Sequence, residues 1–163
     1  MHAPLMLVGE QPGKEEDLAG LPFVGPAGRM LDRALDTAGI TREEVFVTNA
    51  VKHFRFRLRG KKRIHQKPSA GQVEQCRWWL AKELEKVRPA VVVAIGATAA
   101  RSVLQKPVLI KEARGRTLDA GGMVVRVTIH PSYLLRLREN RQQEFERFAS
   151  DLQQAADLAR RGS

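Results

Sequence analysis

The chemistry-bearing residues of this 163-residue chain cluster just after short apolar runs. Gly9-Glu10-Gln11-Pro12-Gly13 follows the run Leu5–Val8, and Leu21-Pro22-Phe23-Val24-Gly25-Pro26-Ala27-Gly28 comes soon afterwards. Glycines at a strand end let a ligand approach the backbone, and a helix starting at Ala27 offers unpaired N–H donors. The same pattern also suits a structural turn. It holds neither Gly-Lys-Ser/Thr nor Gly-x-Gly-x-x-Gly, so it is not one of the common nucleotide loops. Phe23, framed by Pro22 and Val24, is a candidate for stacking on a flat ligand. Asn49 ends a second apolar run. Its amide both donates and accepts, so it can read an edge such as O4 and N3–H of a pyrimidine, or else satisfy the strand's own end. Among the histidines His2 is terminal, while His53, His65 and His130 follow strands. Loop histidines usually face solvent, but His130 is fixed at a sheet edge by Pro131 and Ser132. A zinc set of His53, His65, His130 and Cys76 lacks ligand spacing. Gly-x-Ser-x-Gly is absent, and no Cys/His pair has triad spacing. Trp78 and Trp79 read as core and surface packing on a helix, with Trp79 on or near its inner stripe, rather than as stacking platforms.

The elements that must position these residues alternate. Leu5–Val8, Val45–Val51, Ala90–Ile95 and Val124–Ile129 read as strands, the last pairing with a stretch near Arg116–Leu118 across Ala120-Gly121-Gly122. Helices are expected over Ala27–Ala38, from Pro68-Ser69 to about Val87, over Ala97–Leu104 and over Asn140–Arg160. Gly9–Pro26 and Lys52–Lys67 read as long loops, the second showing neither helical nor strand period. Strand–helix alternation argues for an α/β fold with a mostly parallel sheet and helices on both faces. In such sheets ligands sit beyond the carboxyl ends of the strands, where Gly9–Gly13, Asn49–Lys67 and His130–Ser132 all fall.

Composition narrows the class. Hydrophobic residues make up 43% and charged residues 28%, which excludes a disordered chain. No apolar run reaches the ~18 residues of a membrane span, and no signal core follows the N-terminus, so neither secretion nor membrane insertion is expected. Cys76 is the one cysteine, which excludes an internal disulfide and fits a reducing cytoplasm. Lys and Arg number 28 against 18 Asp and Glu, a net charge of +10. Lys52, Arg55, Arg57, Arg59, Lys61, Lys62, Arg63 and Lys67 lie between Glu44 and Glu74 with no acid among them. That concentration suggests a phosphate-backbone partner, since neutralising phosphates releases counterions, the alternative being a solvated basic loop.

Four motifs in order, Gly9–Gly13 with Asp17 and Leu21–Gly28, Thr48–Phe54, Gly60–His65 and His130–Ser132, carry a family resemblance. From about Leu5 to Asp157 the chain resembles the uracil-DNA glycosylase superfamily, in its family 4-like branch, most closely the UdgX type that captures its own DNA product. Gln11 and the Lys62-Arg63-Ile64-His65 loop separate that type from ordinary family 4 enzymes. The resemblance implies a single domain over 1–163, a three-layer α/β/α fold with a central, mostly parallel four-stranded sheet. It implies that Phe23 stacks on a flipped uracil, that Asn49 reads its N3–H and O4 edge, and that Gln11, Asp17 and Ser132 share the uracil site. By the same resemblance His130 stabilises the departing uracil anion, His65 becomes bonded to the sugar C1′, and Glu10 orients or deprotonates that histidine. Lys52, Arg59, Lys61, Lys62 and Arg63 are expected to contact DNA. The expected partner is uracil-containing DNA, single-stranded by preference, bound by a monomer in the bacterial cytoplasm. The resembled family carries a 4Fe-4S cluster; His53 and Cys76 match two of its ligand positions, and the two upstream cysteines are absent here, so no bound cluster is expected. Two other readings stay open: an ordinary turning-over glycosylase with His65 as a DNA contact, and a non-catalytic module that binds uracil or abasic DNA.

Overall fold

A computed structural model describes residues 3–53 and 56–162, with the backbone alone at Phe56, Arg63 and His65. β1 (Leu5–Gly9) leads into α1 (Lys14–Ala19), α2 (Pro26–Thr37) and β2 (Val45–Asn49). A hairpin of β3 (Phe56–Arg59) and β4 (Lys62–His65) precedes α3 (Ala70–Val87) and β5 (Val91–Ile95). Then follow α4 (Ala97–Leu104), α5 (Ile110–Ala113), β6 (Thr117–Ala120), β7 (Met123–Thr128), α6 (Pro131–Arg136) and α7 (Arg141–Arg161).

β1 and β5 are apolar and buried at every position, as strands covered on both faces must be. They form the middle of a sheet ordered β2-β1-β5-β7-β6. β1 pairs in parallel with β2 and β5, and β5 with β7, whereas β6 runs antiparallel to β7. The expected four parallel strands are present, and β6 adds a fifth at the edge. The β6–β7 turn works because Gly121 and Gly122 both take positive φ, 65° and 89°, as the favoured two-residue hairpin turn demands. Alternate strand residues feed two cores. Leu5, Leu7, Val93 and Ile95 pack against Leu31, Leu35, Phe148 and Leu152 of α2 and α7. Met6, Val8, Val92 and Ala94 pack against Leu80, Ala99, Ala100 and Val103 of α3 and α4. The result is three layers, with every carboxyl end of the parallel strands on one edge.

Local signals explain most boundaries. Pro26 opens α2 in the first turn, where its missing N–H costs nothing, and Ser69 caps α3 reciprocally with Gln72. Three expectations need correction. Gly9–Pro26 is not all loop, because Gly13 starts the short helix α1. Lys52–Lys67 is not a loop either: Phe56–Arg59 pairs with Lys62–His65, and Gly60, with φ of 63°, reverses the chain between them. Phe56 and Leu58 do alternate with Arg57 and Arg59. That alternation is only four residues long, and Leu58 is 65% exposed rather than in either core. The His130-Pro131-Ser132 break is the start of α6, capped by His130 with Pro131 in the first turn. Trp78 and Trp79 are both exposed on α3, edge to face at 4.6 Å, outside either core. Among the described residues no helix is long and apolar enough to cross a membrane.

Candidate active site

The carboxyl ends of β1, β2, β5 and β7 open onto a crevice of about 660 Å³, lined by Glu10, Gln11, Phe23, Asn49, His130 and Ser132 among others. Chain reversal between β1 and β5, whose neighbours lie on opposite sides, is what opens a parallel sheet at this point. Gly9 lets the walls meet. A Cβ there would lie 2.5 Å from Asn49 Oδ1 and 2.6 Å from Phe23 Cε2, well inside contact distance. Phe23 takes a positive φ of 52°, a strained conformation for an aromatic residue, and a Cβ on Gly28 would collide with its carbonyl. Two glycines therefore clasp Phe23, whose ring stacks on that of His130 with centroids 5.8 Å apart and planes at 30°.

His130 is held in one tautomer. Its Nδ1 accepts the Ser132 backbone N–H at 3.1 Å and lies 2.7 Å from the Ser132 hydroxyl. A backbone N–H can only donate, so Nδ1 carries a lone pair and Nε2 carries the proton of the neutral ring. Gly96, at φ 96°, has no side chain to push His130 away; a Cβ there would lie 3.3 Å from the His130 Cβ. Asn49 is 6% exposed, and its Oδ1 is buried with no hydrogen-bond partner among the described residues. An orphaned buried acceptor is costly, so this atom marks where a donor is wanted. Glu10 accepts from the Thr98 hydroxyl at 3.1 Å, which ties the β1 loop to the first turn of α4. Gln11 donates through Nε2 to the Gln66 carbonyl at 2.8 Å, anchoring the exit of the hairpin beside the crevice.

Of the residues singled out from sequence, Glu10, Gln11, Phe23, Asn49, His130 and Ser132 converge on this crevice. Asp17 does not. It is exposed on α1, and the preceding Glu16 faces inward instead, accepting the Gly25 N–H at 3.0 Å and lining the crevice. Sequence reasoning passed over Glu16, although Gly13 and Gly25, which close around its carboxylate, were a legible sign. Lys52 is not a surface cation. Its ammonium donates to Thr48 Oγ1, the Asn49 carbonyl and Glu83 Oε2, each at 2.7 Å, which uses all three of its N–H bonds. It clamps the end of β2 rather than reaching for phosphate. Arg59, Lys61 and Lys62 are exposed on the hairpin, as a DNA contact requires. The side chains of Arg63 and His65 lie outside the described residues, and their backbones belong to β4.

A four-iron cluster needs cysteine thiolates that this sequence does not supply. Cys76 is buried against Val51 and Val73, and His53 is exposed. No group of three His, Cys, Asp or Glu able to hold a metal occurs among the described residues. The residues present do not fit the cluster.

The profile of the Uracil DNA glycosylase superfamily matches residues 1–153. The chain belongs to that superfamily. A Type-4 uracil-DNA glycosylase of Thermotoga maritima is 41% identical over 138 residues, covering 83% of this chain and 68% of that protein. A Type-4 uracil-DNA glycosylase of Archaeoglobus fulgidus is 33% identical over 156 residues, 89% of this chain and 75% of its own length. A Type-5 uracil-DNA glycosylase of Pyrobaculum aerophilum is 32% identical over 151 residues, 82% of this chain and 63% of its own. The superfamily match contains every residue that lines the crevice.

Proposed function

We propose that this protein excises uracil from DNA and that His65 then bonds to the sugar C1′, capturing the strand. Asn49 supports this reading most directly, since the residue lines the crevice and its buried Oδ1 lacks a donor among the described residues. A uracil turned out of the stack supplies one: N3–H donates to Oδ1 while the Asn49 amide donates to O4. Phe23 covers a face of the base. As the C1′–N1 bond breaks, its electron pair stays on uracil, and the His130 Nε2–H donates to O2, where negative charge grows. The Glu10 carboxylate meets the positive charge left on the sugar. In the capture step an imidazole nitrogen of His65 gives its lone pair to C1′ as N1 departs. The proton on the other ring nitrogen passes to Glu10 or solvent, and the uracil anion takes one up. His65 ends β4 next to Gln66, whose carbonyl Gln11 holds, so its backbone is tied to the crevice.

The 163 residues act in this reading as one domain and a monomer. They take single-stranded DNA, which needs no unpairing, along Arg59, Lys61, Lys62 and Arg63. A second reading, release and turnover with His65 as a DNA contact, is favoured by the names of the Type-4 relatives. The test mixes protein with an end-labelled uracil-containing single strand, denatures it fully and reads the gel. A band shifted by the protein's mass, lost in His65→Ala, supports capture. No such band but strand breakage in hot alkali supports turnover. Intact DNA from both treatments overturns the uracil reading.

A further inference from the structure

Glu10, the carboxylate that meets the sugar charge, is fixed at two levels. Its backbone carbonyl accepts the Val51 N–H at 2.8 Å, which pins the main chain from the β2 side. That bond does not set the side chain, whose three torsions must also be fixed before a carboxylate can meet a charge at a defined distance. From the β5 side, Thr98 Oγ1 donates to Glu10 Oε2 at 3.1 Å, across 88 residues of sequence. An ionised carboxylate only accepts, so the hydroxyl proton points at Glu10. β1 and β5 are neighbours in parallel register, Val8 beside Ala94, so the residues that follow them emerge side by side at the crevice. Gly96, at φ 96°, turns the chain into α4, whose first two residues are Ala97 and Thr98. Three and four positions before Thr98 stand Ile95 and Ala94, strand residues, so its hydroxyl lacks the back-bond that a threonine makes deeper in a helix. It reaches across to Glu10 instead. The first turn of α4 has no acidic residue of its own, and Glu10 brings a carboxylate to that end of the helix dipole. Thr98 itself is 5% exposed and is not among the residues lining the crevice, so it acts through Glu10 and not on the substrate.

We propose that Thr98 is a positioning residue for bond cleavage, its hydroxyl holding the Glu10 carboxylate in place for the positive charge that develops at the sugar. The inference rests on the uracil reading of the crevice. A charge already in place when the C1′–N1 bond stretches stabilises the transition state more than one that must turn toward it during the reaction. The role belongs to the hydroxyl: the threonine methyl touches no reacting group, and serine could replace it.

The test compares Thr98→Val, which keeps the shape and removes the hydroxyl, with Thr98→Ser, which keeps the hydroxyl. Uracil release from a labelled single strand is followed with protein in excess, and strand affinity by fluorescence anisotropy. A hydrogen bond to a charged group corresponds to about 10–100-fold in rate. Thr98→Val should slow release by about that factor at saturating protein, with its Kd for the strand within about 2-fold of wild type. Thr98→Ser should stay within about 3-fold of wild type in both quantities. Glu10→Asp, one methylene shorter, draws the carboxylate away from the hydroxyl while keeping its charge. Adding Thr98→Val to that variant should therefore slow release less than about 3-fold further, because the two side chains act as one unit. Four results overturn the positioning role: release by Thr98→Val at the wild-type rate, Thr98→Ser as slow as Thr98→Val, the full slowing repeated in Glu10→Asp, or a loss of strand affinity that accounts for the slowing. Wild-type protein that releases no uracil would sink the uracil reading and this role with it, whereas wild-type release together with any of those four results sinks the role alone.

Discussion

Replacing Asn49 by alanine should make this protein more stable and less able to act. Its Oδ1 is buried without a partner among the described residues, which costs the fold about 1–3 kcal/mol. Alanine removes that acceptor, and because the amide borders an open crevice the lost packing returns only part of the gain. A net stabilisation of about 1 kcal/mol corresponds to a rise of about 2–4 °C in Tm for a chain of this size. The same change removes the acceptor for N3–H and the donor to O4. Losing a donor aimed at developing charge costs about 10²–10³ in rate, so single-turnover uracil release should fall by at least that much. Differential scanning fluorimetry without DNA gives the first quantity, and quenched-flow release from a labelled strand gives the second. Asn49→Asp separates the two effects, because a buried, unpaired carboxylate should lower Tm while also abolishing release. A drop in Tm of 2 °C or more for Asn49→Ala would refute the orphaned-acceptor argument. Release within about tenfold of wild type would refute the assignment of Asn49 to the base.

Lys52→Ala should lower Tm by about 2–4 °C, since it breaks a half-buried clamp on Thr48, Asn49 and Glu83, yet leave the salt slope of DNA binding unchanged. Lys61→Ala/Lys62→Ala should do the reverse, flattening the slope by about 1.4 with Tm constant. A changed slope in Lys52→Ala would return that lysine to the DNA surface. Gly9→Ala should cost about 1–3 kcal/mol by overpacking and also suppress uracil release, because the added methyl displaces Phe23 and Asn49. Gly39→Ala, at a positive φ of 70° with open space around it, should lose stability alone; release that stays intact in Gly9→Ala would show that the walls of the crevice do not need that close approach.

Several features could be read from sequence because they are local. Unbroken apolar runs such as Val91–Ile95 can only be strands buried on both faces, and Ser69 with Gln72, Pro26 and Gly39 punctuate helices through backbone chemistry alone. The parallel α/β class followed from those runs, and with motif order they pointed to Phe23, Asn49 and His130, which line one crevice at the carboxyl edge. Direction and partnership did not follow. Sequence marks Lys52 as one cation in a basic stretch, and only the fold brings Glu83, 31 residues away, to take up its charge. It cannot say whether Asp17 or Glu16 faces inward, because that depends on how α1 rests against Gly25. The hairpin is hard to read in sequence because its alternation, Phe56-Arg57-Leu58-Arg59, is only four residues long and lies inside a run of cations. The ion pairs of Arg114 are likewise long-range, since its guanidinium meets Glu144 and Asp151 of α7, 30 and 37 residues along the chain. Local chemistry fixes where the chain turns and what it buries; which charges meet is a long-range outcome of packing, and that is where the tertiary structure alone decides.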